Sequence, residues 1–366
     1  MKQAYDFLYC LAGLIAGIYI QYLDPLPTTA LLYLAFAGLV LAGLCLKTTK
    51  PLFRLNTSIL WCFIIGQTVF SIHAHLLKKE QLSLSGHYRY LTGLITDTHR
   101  LAHPLYAQRL TVALEGGKHK KLPIGRRLHS IVHVYSKNVN NGAIGDKILL
   151  KNISLKPMSS HFTEADISLA KEGIAASLFI SSPFQLQALE KESRGVRAWL
   201  WQWRQAIYQQ FIDNLSQLAA TYSGLLFFGN KQHTQTTALQ DNFAYWGLSH
   251  YLARSGLHIV LLIAMWFMVL RFFPIHIRLK NLFLCFFILS YAFCSWESTS
   301  FLRALFVFLL AQTSVWLGRE TKTLHLLTLV CMGMILYNPF LIFYLDFQLT
   351  FGLTFGLLTF SKYLTA

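Results

Sequence analysis

The feature that most constrains this chain is a set of long apolar runs at its two ends, separated by a polar stretch. Tyr5–Leu23, Thr28–Leu46 and Thr57–Leu76 lie on the N-terminal side, and Gly256–Arg271, Asn281–Trp296, Phe301–Leu317, Leu324–Phe343 and Phe347–Phe360 on the other. A helix that crosses a bilayer needs about 20 mostly apolar residues, with about 17–25 the usual range. Only 13% of the residues are charged, against about 25% in ordinary soluble domains. Most of the chain is thus unsuited to water. The expected fold is a polytopic α-helical membrane protein of about eight spanning or re-entrant segments, carrying an inserted small β-barrel, OB-like domain. Asp24-Pro25-Leu26-Pro27 turns the first run into the second, so the first reads as half of a membrane hairpin and not as a cleaved signal peptide.

Charge placement gives an expected topology. Lys47, Lys50 and Arg54, then Arg271, Arg278 and Lys280, then Arg319 and Lys322, and finally Lys362 follow alternate runs, while the loops at Asp24, Glu297 and Asp346 are acidic or neutral. Basic loops stay in the cytoplasm. Both termini are therefore expected on the cytoplasmic side of the cytoplasmic membrane and the inserted domain on its outer face. Cys10, Cys45, Cys62, Cys285, Cys294 and Cys331 all fall in apolar runs with no metal-ligand spacing. They read as core fillers, and no metal or cofactor is expected.

Four regions follow: 1–77 with N-terminal transmembrane helices, 78–190 with an exported β domain, 191–220 with an amphipathic interfacial helix, and 221–366 with a second membrane domain. In the β domain, Tyr88–Asp97, Tyr106–Glu115, Arg127–Tyr135, Asp146–Leu155 and Ile174–Ile180 read as strands. Gln108, Leu110, Val112 and Leu114 share one face of the second, and Gly116-Gly117 is expected to end it. From Lys78 through Arg194 there are about 17 Lys and Arg against about 9 Asp and Glu, with Lys118, Lys120, Lys121, Arg126 and Arg127 crowded around one loop. Nucleic-acid phosphate, an anionic lipid surface and plain solvent are all open as partners for that loop. Val196–Leu218 repeats Trp199, Leu200, Trp203, Ile207, Phe211, Leu215 and Leu218 at helical spacing, which suits a bilayer interface or packing on the bundle.

The stretch before Ile259 carries the most chemistry. Ser249, His250, Arg254, Ser255 and His258 abut an apolar run, where polar groups are costly unless they face a bundle interior or a hydrated path. His250, Arg254 and His258 are spaced by four, so a helix would align them on one face. Ser255 with His258 admits a nucleophile and base, but no orienting carboxylate stands near in sequence. Polar lining and helix packing are the expected roles.

Leu248-Ser249-His250-Tyr251-Leu252-Ala253-Arg254-Ser255-Gly256-Leu257-His258-Ile259 resembles the signature of the ComEC competence family, the inner-membrane DNA channel of natural transformation. Gly224-Leu225-Leu226-Phe227-Phe228-Gly229-Asn230, Arg303-Ala304, Asn338-Pro339 and Phe347-Gln348-Leu349-Thr350-Phe351 are similar to further segments of that family, in the same order. The resemblance implies import of single-stranded DNA across the cytoplasmic membrane. It implies a polar path shaped by Ser249, His250, Arg254, Ser255, Gly256 and His258, with Arg303 and Gln348 as additional candidates. Gly256 would allow close helix approach. Many members also carry a metallo-β-lactamase-like domain, which is not expected in this shortened form. A channel and not an enzyme is therefore expected. Its partners would be single-stranded DNA, membrane lipid, a separate chain supplying further helices and a nuclease domain, and further copies of itself. A membrane-bound hydrolase using Ser255 and His258 is the alternative, as is a non-conducting remnant or assembly partner of a split channel.

Overall fold

The computed structural model describes residues 2–25, 51–100, 106–119, 131–137, 145–155, 164–180, 186–190, 196–224, 245–246, 256–274, 276–294 and 298–364. These fall in two compact units, one helical and one built on a sheet.

The helical unit contains α1 (Lys2–Leu23), most of α2 (Pro51–Leu84), α6 (Gly256–Arg271), α7 (Ile277–Cys294), α8 (Thr299–Trp316), α9 (Thr323–Tyr337), a 3-10 turn (Pro339–Phe343) and α10 (Leu345–Leu364). Among the described residues, three helices are long and apolar enough to cross a membrane: Asp6–Leu23, Asn56–Leu84 and Thr299–Trp316. Shorter apolar helices are His258–Arg271, Thr323–Tyr337 and Leu345–Phe360. The expected span at Thr28–Leu46 lies outside the described residues.

The expected run Leu324–Phe343 is not one helix. The α-helix stops at Tyr337, because Pro339 has no N–H to donate and its ring disfavours helical geometry at Asn338. Asn338 then caps the 3-10 turn by accepting from the Phe340 N–H at 3.1 Å.

Glycines set the approach of α1 to α2. A Cβ at Gly13 would lie 2.7 Å from the Ile59 carbonyl oxygen, while one at Gly17 would overlap Phe63 O and one at Gly66 would overlap Leu14 O. In a bilayer, apolar side chains would gain little from one another over lipid, and backbone-to-backbone contact through small residues would be the main source of helix association. A second packing centre joins α6, α7 and α8 through Ile259, Leu270, Leu284, Ile288, Phe301, Leu305 and Phe308. The rings of Trp266 and Phe287 stack there at 3.8 Å.

The sheet unit has six strands: β1 (Gly86–Arg100), β2 (Gln108–His119), β3 (Ile131–Ser136), β4 (Lys147–Leu155), β5 (Ala176–Ile180) and β6 (Leu186–Glu190). Their order is β5-β3-β2-β1-β4-β6, antiparallel except for the β3/β5 pair. Alternate residues fill one core, including Leu91, Ile95, Leu110, Val112, Val132, Val134, Ile148 and Leu150. The sheet curls around that core as a half-barrel. Register shifts in β1 after Tyr88, Thr92 and Ile95 bend the strand as bulges do. Gly93 sits at one of them, where a Cβ would lie 2.5 Å from Val112 Cγ1.

One sequence expectation is corrected here, and residues 127–130 of another expected strand lie outside the described residues. Gly116-Gly117 does not end β2. Gly116 pairs with Thr92 and Gly117 with Leu91, since the long β1 supplies a ladder that carries the glycines on to His119. The strand expected from Arg127 is described only from Ile131. Sequence reading also passed over β6 and the helix α3 (Glu164–Lys171). The latter ends in a Schellman motif: Ile174 N donates to Leu169 O at 2.9 Å, Gly173 N donates to Ala170 O at 3.1 Å, and Gly173 takes φ 68°.

After the sheet come α4 (Val196–Asp213) and α5 (Gln217–Ser223). Trp199, Trp203, Phe211 and Leu215 of the expected apolar stripe are exposed. Among the side chains described on α4, Tyr208 packs inward, and its hydroxyl lies 2.6 Å from where a Gly224 Cβ would stand.

Candidate functional site

Ser249, His250, Arg254 and Ser255 lie outside the described residues, as do Lys120, Lys121, Arg126 and Arg127. Lys118 stands on β2, its backbone opposite Tyr90. The remaining candidates belong to the helical unit, and the structure sorts them into two places.

The first place centres on Arg303. Gly256 opens α6 directly against α8: a Cβ there would be 3.2 Å from Ala304 Cβ and 3.4 Å from Arg303 Nη2. Arg303 donates from Nη1 to the Thr350 carbonyl and to Thr354 Oγ1 on α10. Thr354 Oγ1 in turn donates to Thr350 O at 2.7 Å. One part-buried guanidinium thus links the start of α6 to the middle of α10. Three segments singled out in the sequence, at Gly256, at Arg303-Ala304 and at Phe347–Phe351, meet at this point. His258 is part-buried one step further along α6, next to Ile259, which is 1% exposed.

The second place holds Gln348. Its Nε2 donates to Ile342 O at 2.8 Å and stands 3.5 Å from the Tyr19 hydroxyl. Gln348 and Thr350 are two residues apart on one helix, which puts them on nearly opposite faces. Arg303 and Gln348 therefore do not share a site. Around Gln348 the turn Pro339–Phe343 packs its rings on α1 and α2: Phe343 on Tyr22 at 4.6 Å and Phe340 on Phe70 at 5.4 Å. His73 reaches the Tyr337 carbonyl at 3.2 Å.

Buried polar side chains on the apolar helices escaped the sequence reading. Gln21, Gln67 and Ser71 are almost fully buried on α1 and α2. Gln67 Oε1 has no hydrogen-bond donor among the described residues. The signal was present, since an amide in the middle of an apolar run is as costly as the histidines that drew attention.

Residues 226–366 match the family model of the Competence family, described as competence protein. Residues 226–366 are a Competence-family region. The match takes in Gly256, His258, Arg303, Asn338-Pro339 and Gln348, so both meeting places lie wholly or partly inside the Competence region. No curated protein and no solved structure matches the chain. The apolar helices and the Competence region are both consistent with a membrane location.

Proposed function

We propose that this chain is a membrane component that guides single-stranded DNA across the cytoplasmic membrane in natural transformation. The Competence family ties it to DNA uptake for competence. The observation that carries the finer reading is the junction at Gly256, Arg303 and Thr350, where a cation meets hydroxyl and carbonyl oxygens between apolar helices. Ionisable groups within spanning helices face bundle interiors or hydrated paths, and lie on transport routes more often than elsewhere. Ser249, His250, Arg254, Ser255 and His258 would continue that path. Conduction needs weak contacts at several sites, which suits guidance without chemistry.

In this reading the sheet unit is an OB-like domain on the outer face, both termini are cytoplasmic, and a separate chain supplies further helices and a nuclease domain. The parallel β3/β5 pair beside β2, β1 and β4 supports the OB-like reading. The basic excess between Lys78 and Arg194 supports a polyanion as ligand.

The test follows labelled DNA into a nuclease-protected cytosolic pool, in cells lacking the gene and in a His258→Ala strain. Loss of that pool with surface binding intact, and failure of the point variant at normal membrane levels, is the expected result. An undiminished pool in the deletion strain would remove the chain from the transport route.

A further inference from the structure

The core of the half-barrel uses one parity of each strand, and the other parity carries an ordered row. His99 on β1 pairs with Arg109 on β2, Arg109 with Tyr135 on β3, and Tyr135 with Phe179 on β5. Their neighbours Leu110, Val134, Leu178 and Ile180 are in the core, so the row lies on the outside of the sheet. Phe179 is 58% exposed. Its ring stacks on Tyr135 at 4.9 Å with 16° between planes, and Tyr106 closes on both at 5.3 and 6.0 Å. Three aromatic rings gathered outside a core that does not need them form a platform with an open face.

Beside the platform stands a small ionic cluster of Arg109, His133 and Glu172. Arg109 Nε is buried and has no hydrogen-bond partner among the described residues. His133 sits next to Tyr135 on the same face, 2% exposed. Their carboxylate partner is Glu172, the last residue before Gly173 turns the chain into β5. Its Oε2 lies 3.2 Å from His133 Nε2 and 3.8 Å from Arg109 Nη1. His133, and then Arg109, hold the Glu172 carboxyl below the usual carboxylate range, against the burial that pushes it up.

We propose that Tyr106, Tyr135 and Phe179, with Arg109 beside them, form a base-stacking site for single-stranded nucleic acid. A flat exposed ring takes a base only when that base is unstacked, which selects a single strand over a duplex. Arg109 then meets the adjoining phosphate, and the basic balance of the surrounding region favours the polyanion over a neutral apolar partner. Glu172 competes with that phosphate for the guanidinium. The site deepens the import reading and rests on it for its physiological strand.

The test uses the full chain in detergent micelles and a fluorescent 15-mer of deoxythymidine, read by anisotropy. Phe179→Leu keeps an apolar side chain at an exposed position and removes the ring, so folding is retained. It is expected to weaken binding by about fivefold or more, with Phe179→Trp restoring it. Glu172→Gln is expected to tighten binding. An abasic oligomer of equal length should bind wild type and Phe179→Leu alike. Failure of wild type to bind the 15-mer, or equal binding by wild type and Phe179→Leu, would overturn the site, as would equal losses with the abasic chain. Labelled-DNA import in gene-deleted cells, set beside the binding data, separates the two readings. Normal import in gene-deleted cells with Phe179-dependent binding sinks the transport reading alone, whereas gene-dependent import with Phe179-independent binding sinks only the platform.

Discussion

Gly17 on α1 faces the main-chain carbonyl of Phe63 on α2 so closely that a methyl group on Gly17 would overlap that oxygen. Helix backbones in contact cannot yield as a flexible side chain does. Gly17→Ala should therefore lower unfolding stability in detergent by about 1–3 kcal/mol, the usual cost of overpacking. Gly352→Ala on α10 is the control, since a Cβ there meets nothing within 4 Å. It should be neutral or slightly stabilising through helix propensity. Equal losses in the two variants would mean that α1 and α2 do not approach through Gly17.

Arg303 joins α8 to α10 through two acceptors, the Thr350 carbonyl and Thr354 Oγ1. Lysine keeps the charge but not the planar fork. Arg303→Lys should cost about 1.5–3 kcal/mol, the range for hydrogen bonds to a charged group, and Thr354→Val about 1 kcal/mol. Chemical unfolding of purified protein measures both. Losses that simply add in the double variant would argue against a direct bond between the two side chains.

Glu172 gives the sheet unit a pH dependence. Its carboxyl is held below the ordinary value by His133 and Arg109, and that ordinary value is about 4.3. The stabilisation is complete above the unfolded value and is lost as pH falls through the lower folded one. Glu172→Gln lacks it at every pH. The variant should be less stable than wild type near pH 7, and the gap should close below about pH 4. Unfolding midpoints across that range read the difference. A gap unchanged down to pH 3 would assign the effect to something other than this ionisation.

Asn338 performs two jobs in one residue, ending α9 and capping the turn Pro339–Phe343 through Phe340 N–H. Asn338→Ala should cost about 1 kcal/mol, as the loss of a cap does, while Asn338→Asp should retain most of the stability. Tryptic cleavage near the turn offers a second readout, faster in the alanine variant and unchanged in the aspartate one.

What the sequence disclosed depended on how local the deciding interaction was. Gln108, Leu110, Val112 and Leu114 were legible as one face of a strand, and all four are buried. Alternation needs no knowledge of the partner strand. Gly116-Gly117 misled, because whether glycines end a strand depends on a ladder whose other side is Leu91 and Thr92. Arg303 and Gln348 were both visible as odd polar residues. Their separation was not, since it depends on which face of α10 turns towards α8 and which towards the turn at Ile342. The aromatic row was hidden for the same reason: Tyr135 and Phe179 become neighbours only through the β3/β5 ladder.

That ladder sets a timetable. The strands β1, β2 and β3 each pair with the strand next to them in sequence, and β4 joins the free side of β1. Each of these steps can proceed as soon as the chain has emerged. β3 must wait for β5, with β4 and α3 made in between. Long-range pairings of this kind are slow to form, and an unpaired strand edge invites wrong partners while it lasts. During synthesis, then, the domain is most vulnerable between the appearance of Ile131 and that of Ile180, and a chaperone acting on it would have its work concentrated in that interval.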